Sequence, residues 1–149
     1  MCSGKIAYEW CKGKQYTERI CVFLKEIDQI MIPQLSKRVD ISEYAKKLAC
    51  NADTVFVRNN NQDIAACSVY CNRQDAFISS IAVKKDFWNQ RVATNLLKET
   101  IIHVKGKNCL KLSLEVWDEN IAAVKLYEKV GFSLSLKEGS WNIMAMIID

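Results

Sequence analysis

Residues 109–132 switch hydrophobic period once, and that switch limits the fold more than any other stretch of the chain. Leu112, Leu114 and Val116 alternate with polar neighbours, which is the pattern of a strand with one buried face. Beyond Asn120 the apolar residues move to helical spacing at Ala123 and Leu126, with Asn120 placed as a cap and Gly131 as a stop. A strand followed at once by a helix calls for a sheet with helices on its faces.

The remaining chain extends the pattern. Residues 5–11 read as a short first strand. Ile20, Phe23, Leu24, Ile27, Ile30 and Met31 recur at helical spacing, with Thr17 near the N-cap and Pro33 beyond the end. Asp40 and Glu43 have capping-box spacing before the stripe Ile41, Tyr44, Ala45 and Leu48, which Asn51 ends. Residues 54–58, 64–70 and 76–83 then form a three-strand meander. A long helix is expected over 90–105, with Gly106 closing it, and a final strand over 141–148. The order is β-α-α-β-β-β-α-β-α-β, with room for one more strand at 132–136. The fold class is therefore mixed α/β (α+β), expected as a single domain over residues 1–149.

Composition narrows the function. The chain has 149 residues, 50% of them hydrophobic, and only five glycines and one proline, so linkers and long disorder are not expected. A net charge of +4, with the basic residues scattered, makes nucleic acid an unlikely partner. No apolar run approaches the roughly 20 residues of a membrane helix, and the polar start lacks a signal-peptide core, so no membrane partner and a cytoplasmic location are expected. Seven cysteines without a C-x-x-C read as reduced, mostly buried thiols. His103, the single histidine, reads as a packing residue on a helix, and no metal is expected.

The segment 112–132, with Asn120, Ala123, Leu126-Tyr127-Glu128-Lys129 and Gly131-Phe132 after the L-x-V strand, closely resembles the second half of the GNAT superfamily, the acetyl-CoA-dependent N-acetyltransferases. With the upstream meander and helix the resemblance covers about residues 54–148. It implies a mostly antiparallel central sheet flanked by about four helices, with acetyl-CoA as acetyl donor. Tyr127 aligns with the tyrosine that protonates the departing CoA thiolate, a role suited to an acid of pKa near 10. Asn120 aligns with a residue that ties this loop to the cofactor or the neighbouring strand.

The resemblance also implies a pyrophosphate loop opening the helix after the meander, where free backbone N–H groups and the positive dipole end meet the phosphates. The family reads Gln/Arg-x-x-Gly-x-Gly/Ala there. In this chain Trp88 replaces the Gln/Arg, Arg91 replaces the first Gly, and Ala93 fits. The cofactor-binding residues so implied are Gln90, Arg91, Val92, Ala93 and Thr94, together with Ile81, Ala82 and Val83 on the preceding strand, Asn120 and Tyr127. That strand is expected to splay from the strand at 109–116 to open a cleft.

Many relatives carry a carboxylate base on the strand at 77–81, and none stands between Asp75 and Asp86 here. Glu115, out of phase with Leu112, Leu114 and Val116, is the nearest candidate, and burial would tune it for the task. The leading expectation is transfer of an acetyl group to a primary amine of a small molecule in a direct ternary complex. The alternatives are a protein or peptide N-terminal acetyltransferase and a non-catalytic CoA-binding sensor with an altered loop. A homodimer through the apolar terminal strand is a further expectation.

Overall fold

The computed structural model describes residues 5–149, so Cys2 lies outside the described residues. The elements are β1 (Ile6–Cys11), α1 (Thr17–Ile27), α2 (Ile41–Asn51), β2 (Asp53–Asn59), β3 (Gln62–Tyr70), β4 (Asp75–Val83), α3 (Val92–Gly106), β5 (Lys111–Trp117), α4 (Ile121–Val130), β6 (Ser133–Glu138) and β7 (Trp141–Ile147). The strands form one sheet in the order β1-β2-β3-β4-β5-β7-β6. Every pairing is antiparallel except β4 with β5. The mixed α/β expectation holds, and the optional strand at 132–136 exists as β6.

Each face of the sheet has its own core. Phe56, Ala66 and Ala82 point to one face and are covered by Ile20, Phe23, Leu24 and Ile27 of α1 and Ala45 and Leu48 of α2. Val55, Cys67, Ile78 and Leu114 point to the other and meet Leu96, Leu97 and Val104 of α3 and Tyr127 of α4. Alternation along β2, β3 and β4 therefore divides each strand between the two helix layers, which is why they carry consecutive apolar residues such as Val55-Phe56-Val57 and Ile64-Ala65-Ala66-Cys67. Phe56 is fully buried, with Phe23 edge-on at 6.2 Å and the Arg19 guanidinium 4.0 Å over its ring.

Helix boundaries depart from the sequence reading where polar groups intervene. The first helix stops at Ile27 and continues only as a 3-10 turn, Asp28–Ile30. The Asp28 carboxylate accepts from Ser36 N at 2.7 Å and Gln34 Nε2 at 3.0 Å, turning the chain back before Met31 could extend the helix. Tyr16, not Thr17, is its N-cap residue. Asp40 caps α2 as expected, accepting from Glu43 N at 3.0 Å. The third helix begins at Val92 rather than residue 90, because Asn89 and Arg91 adopt left-handed backbone angles (φ 62° and 64°) that no α-helix accommodates. Gly106 lies inside it, and Asn108, at φ 64°, makes the turn out.

One expectation is corrected outright. The terminal strand β7 is not available for pairing with a neighbour, because it lies between β5 and β6 and is paired on both sides. The edge belongs to β6, all six of whose residues are exposed. Among the described residues no helix is long and apolar enough to cross a membrane, and the six cysteines carry no disulfide.

Candidate active site

The parallel pair β4 and β5 is joined only over Asp75–Lys111 to Ile78–Leu114. Past Ile78 the strands part, so residues 79–83 keep β3 on one side and face no strand on the other. The parting coincides with an irregularity in the β3–β4 register, where Ser68 opposes Ser80 but Val69 opposes Ile78. That leaves Ser79 as an extra residue, and a bulge of this kind bends its strand. The cleft expected between these strands is thus present, and Ile81, Ala82 and Val83 line its β4 side.

The loop between β4 and α3 completes one end of the cleft. Trp88, half exposed, turns back so that its indole N–H donates to Val83 O at 2.7 Å. This occupies a carbonyl that the sequence reading left open to the cofactor. Asn89 and Arg91 are left-handed, and no side chain caps the helix at Arg91. The first turn of α3, Val92, Ala93 and Thr94, therefore presents free amides at a positive dipole end, a fit for a phosphate group. Val92 is buried and Arg91 exposed, so the guanidinium stands outside the core. Gln90 lies in the loop, its Nε2 3.3 Å from Asp86 O and its Oε1 buried without a partner.

Arg91 occupies a conformation that costs a side-chain-bearing residue about 1–2 kcal/mol and costs glycine nothing sterically. Arg91→Gly is expected to stabilise the protein by about 0.5–1 kcal/mol, after the entropy of the freer unfolded chain is subtracted. Urea titration would read this as a higher midpoint at unchanged slope. If the guanidinium also bonds a phosphate, CoA affinity falls about tenfold in the same variant, so stability and affinity move in opposite directions.

Tyr127 enters from α4, in the same helix layer as α3. It is buried, with Phe132 edge-on at 5.9 Å, and burial pushes its phenol well above the ordinary range. The Cys67 thiol pushes in the same direction, and Cys67 pairs with Ile81 of the open segment. The ring shares one core with Cys67 and Ile78, and the raised pKa keeps the phenol protonated. Cys67 itself is fully enclosed and its pKa is pushed up to about 12 by burial, so the thiolate an acyl carrier needs is scarce.

Comparison with known proteins agrees with this geometry. The pattern described as "Acetyltransferase (GNAT) family" matches residues 24–132. The chain belongs to the GNAT acetyltransferase family. A Bacillus subtilis (strain 168) protein named "Putative ribosomal protein bS18-alanine N-acetyltransferase" is 34% identical over 65 residues, which span 44% of this chain and 43% of that relative. Two solved structures share the fold. The ribosomal-protein-S18-alanine N-acetyltransferase of Escherichia coli superposes with TM-score 0.75 at 19% identity, covering 97% of this chain and 94% of that one. The PaiA N-acetyltransferase of Thermoplasma acidophilum, solved with coenzyme A, gives TM-score 0.75 at 16% identity over 95% and 99% of the two chains.

The α1–α2 side of the sheet brings further polar groups to the parted segment of β4. Tyr44 of α2 reaches β4, its hydroxyl 2.6 Å from Ser79 Oγ and 3.0 Å from Ser79 O. Burial raises the Tyr44 pKa, Tyr70 adds to the rise, and Arg38 and the Ser79 hydrogen bond oppose it. The Tyr70 hydroxyl is buried and unpartnered. Arg38, just before α2, lays its guanidinium 4.6 Å from the centre of the Trp141 ring on β7.

One reading of the sequence changes here and one holds. Glu115 is exposed, not buried, because the helices of that face cover β2 to β4 and leave β5 open. The Asn120 side chain is engaged in capping α4, accepting from Ala123 N at 3.4 Å. The residues that sequence reasoning left unassigned are Arg38, Tyr44, Tyr70, Ser79 and Trp141. Ser79 had no signal, since a bulge is invisible to alternation, whereas Trp141 was legible as an aromatic at the start of a strand.

Proposed function

We propose that the whole chain acts as one acetyl-CoA-dependent N-acetyltransferase domain that acetylates the α-amine of a peptide or protein N-terminus by direct transfer. The observation that carries the acceptor class is the open acceptor face. Glu115 and Arg38 are both exposed, Arg38 lying over the Trp141 ring, whereas metabolite sites usually enclose 70% or more of their ligand, by a rough general figure. The names borne by the B. subtilis relative and the E. coli structure lend support.

Acetyl-CoA supplies an activated acetyl group as a thioester. The chain's own groups do the rest. The first-turn amides of Val92, Ala93 and Thr94 hold the pyrophosphate, with Arg91 beside them. The unpaired edge of residues 79–82 aligns the pantetheine arm and places main-chain N–H groups where negative charge develops on the carbonyl oxygen. The amine approaches from the Tyr44–Ser79 side and sheds its proton to solvent or through a water held by Glu115. Tyr127, on the other side, delivers its proton to the leaving sulfur. The scarcity of Cys67 thiolate supports direct transfer over an acyl-enzyme.

A small-molecule amine is the second reading, favoured by the compact hydroxyl group of Tyr44, Ser79 and Tyr70. Steady-state assays on a panel of peptides with free N-termini and a panel of amino sugars, polyamines and amino acids separate the two. Peptides are expected to show kcat/KM at least about tenfold higher, a difference of ~1.4 kcal/mol in transition-state binding. Turnover confined to the small amines reverses the order.

A further inference from the structure

The end of the sheet away from the cleft carries a second set of reactive side chains. Asp53 opens β2, Cys71 follows the last residue of β3, and His103 lies in the last turns of α3. Cys71 Sγ is 3.0 Å and His103 Nε2 2.8 Å from the same oxygen, Asp53 Oδ2. The three potential ligand atoms all lie within 4.8 Å of one another. The His103 ring is held flat against Trp10, centroids 3.6 Å apart and planes 10° apart, and Trp10 in turn donates to Glu99 Oε2 at 3.1 Å. The Cys109 thiol stands beside the group, 3.3 Å from Arg73 O and 3.7 Å from Cys71 O.

We propose that Asp53, Cys71 and His103 bind a thiophilic divalent cation, with zinc the best match. One thiolate, one imidazole and one carboxylate form a borderline-soft donor set. Zinc–ligand bonds of about 2.0–2.3 Å in a tetrahedron hold their donor atoms about 3–4 Å apart, close to the spacing already present. Two protons now occupy the cation's place, since thiol and imidazole both converge on Asp53 Oδ2. Binding breaks the Cys71 S–H bond and releases that proton to solvent. His103 coordinates through the Nε2 lone pair with its proton on Nδ1. A dication with one thiolate and one carboxylate is neutral overall, and the fourth position falls to water.

The ammonium groups of Lys12 and Lys107, 3.5 Å and 4.0 Å from the Asp53 oxygens, are 56% and 53% exposed as side chains. They can turn into solvent when the cation enters, lowering its affinity without blocking it. The cation then clips together β2, the end of β3 and α3. Between Val92 and His103 the helix rises about 16 Å, at about 1.5 Å per residue, so the clip stands clear of the transfer chemistry.

Cobalt(II) titration of metal-free protein tests the site. One equivalent is expected to bind, with a thiolate-to-cobalt charge-transfer band in the near ultraviolet and four-coordinate ligand-field bands in the visible, all bleached by zinc. Cys71→Ser should abolish the charge-transfer band, and His103→Gln should weaken binding by at least about 100-fold, since even outer partners of a metal site cost 10 to 100-fold. Cys50→Ser, at an exposed cysteine, should change nothing. No band in the wild-type protein, a band that survives Cys71→Ser, or a band lost in Cys50→Ser overturns the proposal. Should Cys71→Ser fail to fold, zinc protection of wild-type Cys71 from iodoacetamide, read by mass spectrometry, decides instead. Equal alkylation with and without zinc overturns it.

Discussion

Tyr127→Phe is expected to lower kcat by about 100-fold or more while leaving the dissociation constant for CoA within about twofold of wild type, since a positioned general acid contributes roughly 10² to 10⁴. The change removes one oxygen and keeps the ring that packs on Phe132 and closes the core under the cleft, so the fold should survive it. Matched losses in kcat and kcat/KM would mark an interaction made only in the transition state. Burial raises the phenol's pKa, so ionisation of this acid should not depress wild-type kcat below about pH 10, the ordinary phenol value. A variant with wild-type turnover would remove Tyr127 from the chemistry. A variant that loses CoA binding together with turnover would make the hydroxyl a binding group.

Ala93→Asp is expected to weaken CoA binding by about 100-fold, because a carboxylate set among the first-turn amides repels the pyrophosphate they would hold. Like charges in contact cost several kcal/mol, and about 2.7 kcal/mol corresponds to that factor. The same substitution favours the isolated helix, since acidic side chains at an N-terminus gain about 0.3–1 kcal/mol from its dipole. Stability and affinity therefore separate, and a thermal melt beside calorimetric titration with CoA distinguishes a damaged fold from a blocked site. Unchanged affinity in a well-folded variant would move the pyrophosphate away from α3. Ala93 is only half-buried, so the carboxylate can be accommodated.

The cofactor half of the proposed site was the more legible half. Tyr127, Asn120 and Ala93 sit in local units whose caps, stops and spacing are properties of adjacent residues. Arg91 also announced itself, as a side chain where the family resemblance asks for glycine, and its φ of 64° lies in the left-handed region that favours glycine. The acceptor half was not legible. Tyr44 meets Ser79 across 35 positions of sequence and Arg38 meets Trp141 across the sheet, and no periodicity encodes such pairings. Glu115 was found by its phase on β5, but phase says only which face a residue takes. Whether a helix covers that face is decided elsewhere in the chain.

The same division runs through the whole protein. Local hydrophobic period, caps and turn residues determined the elements and their order, because helix and strand formation depend on neighbours within a few positions. Only the tertiary structure decided that β4 and β5 part after Ile78, that β7 slots between β5 and β6, and that Asp53, Cys71 and His103 share one oxygen. Those outcomes depend on contacts between residues distant in sequence, where closing the loops and sharing out the buried surface select one arrangement from many compatible with the same local pattern.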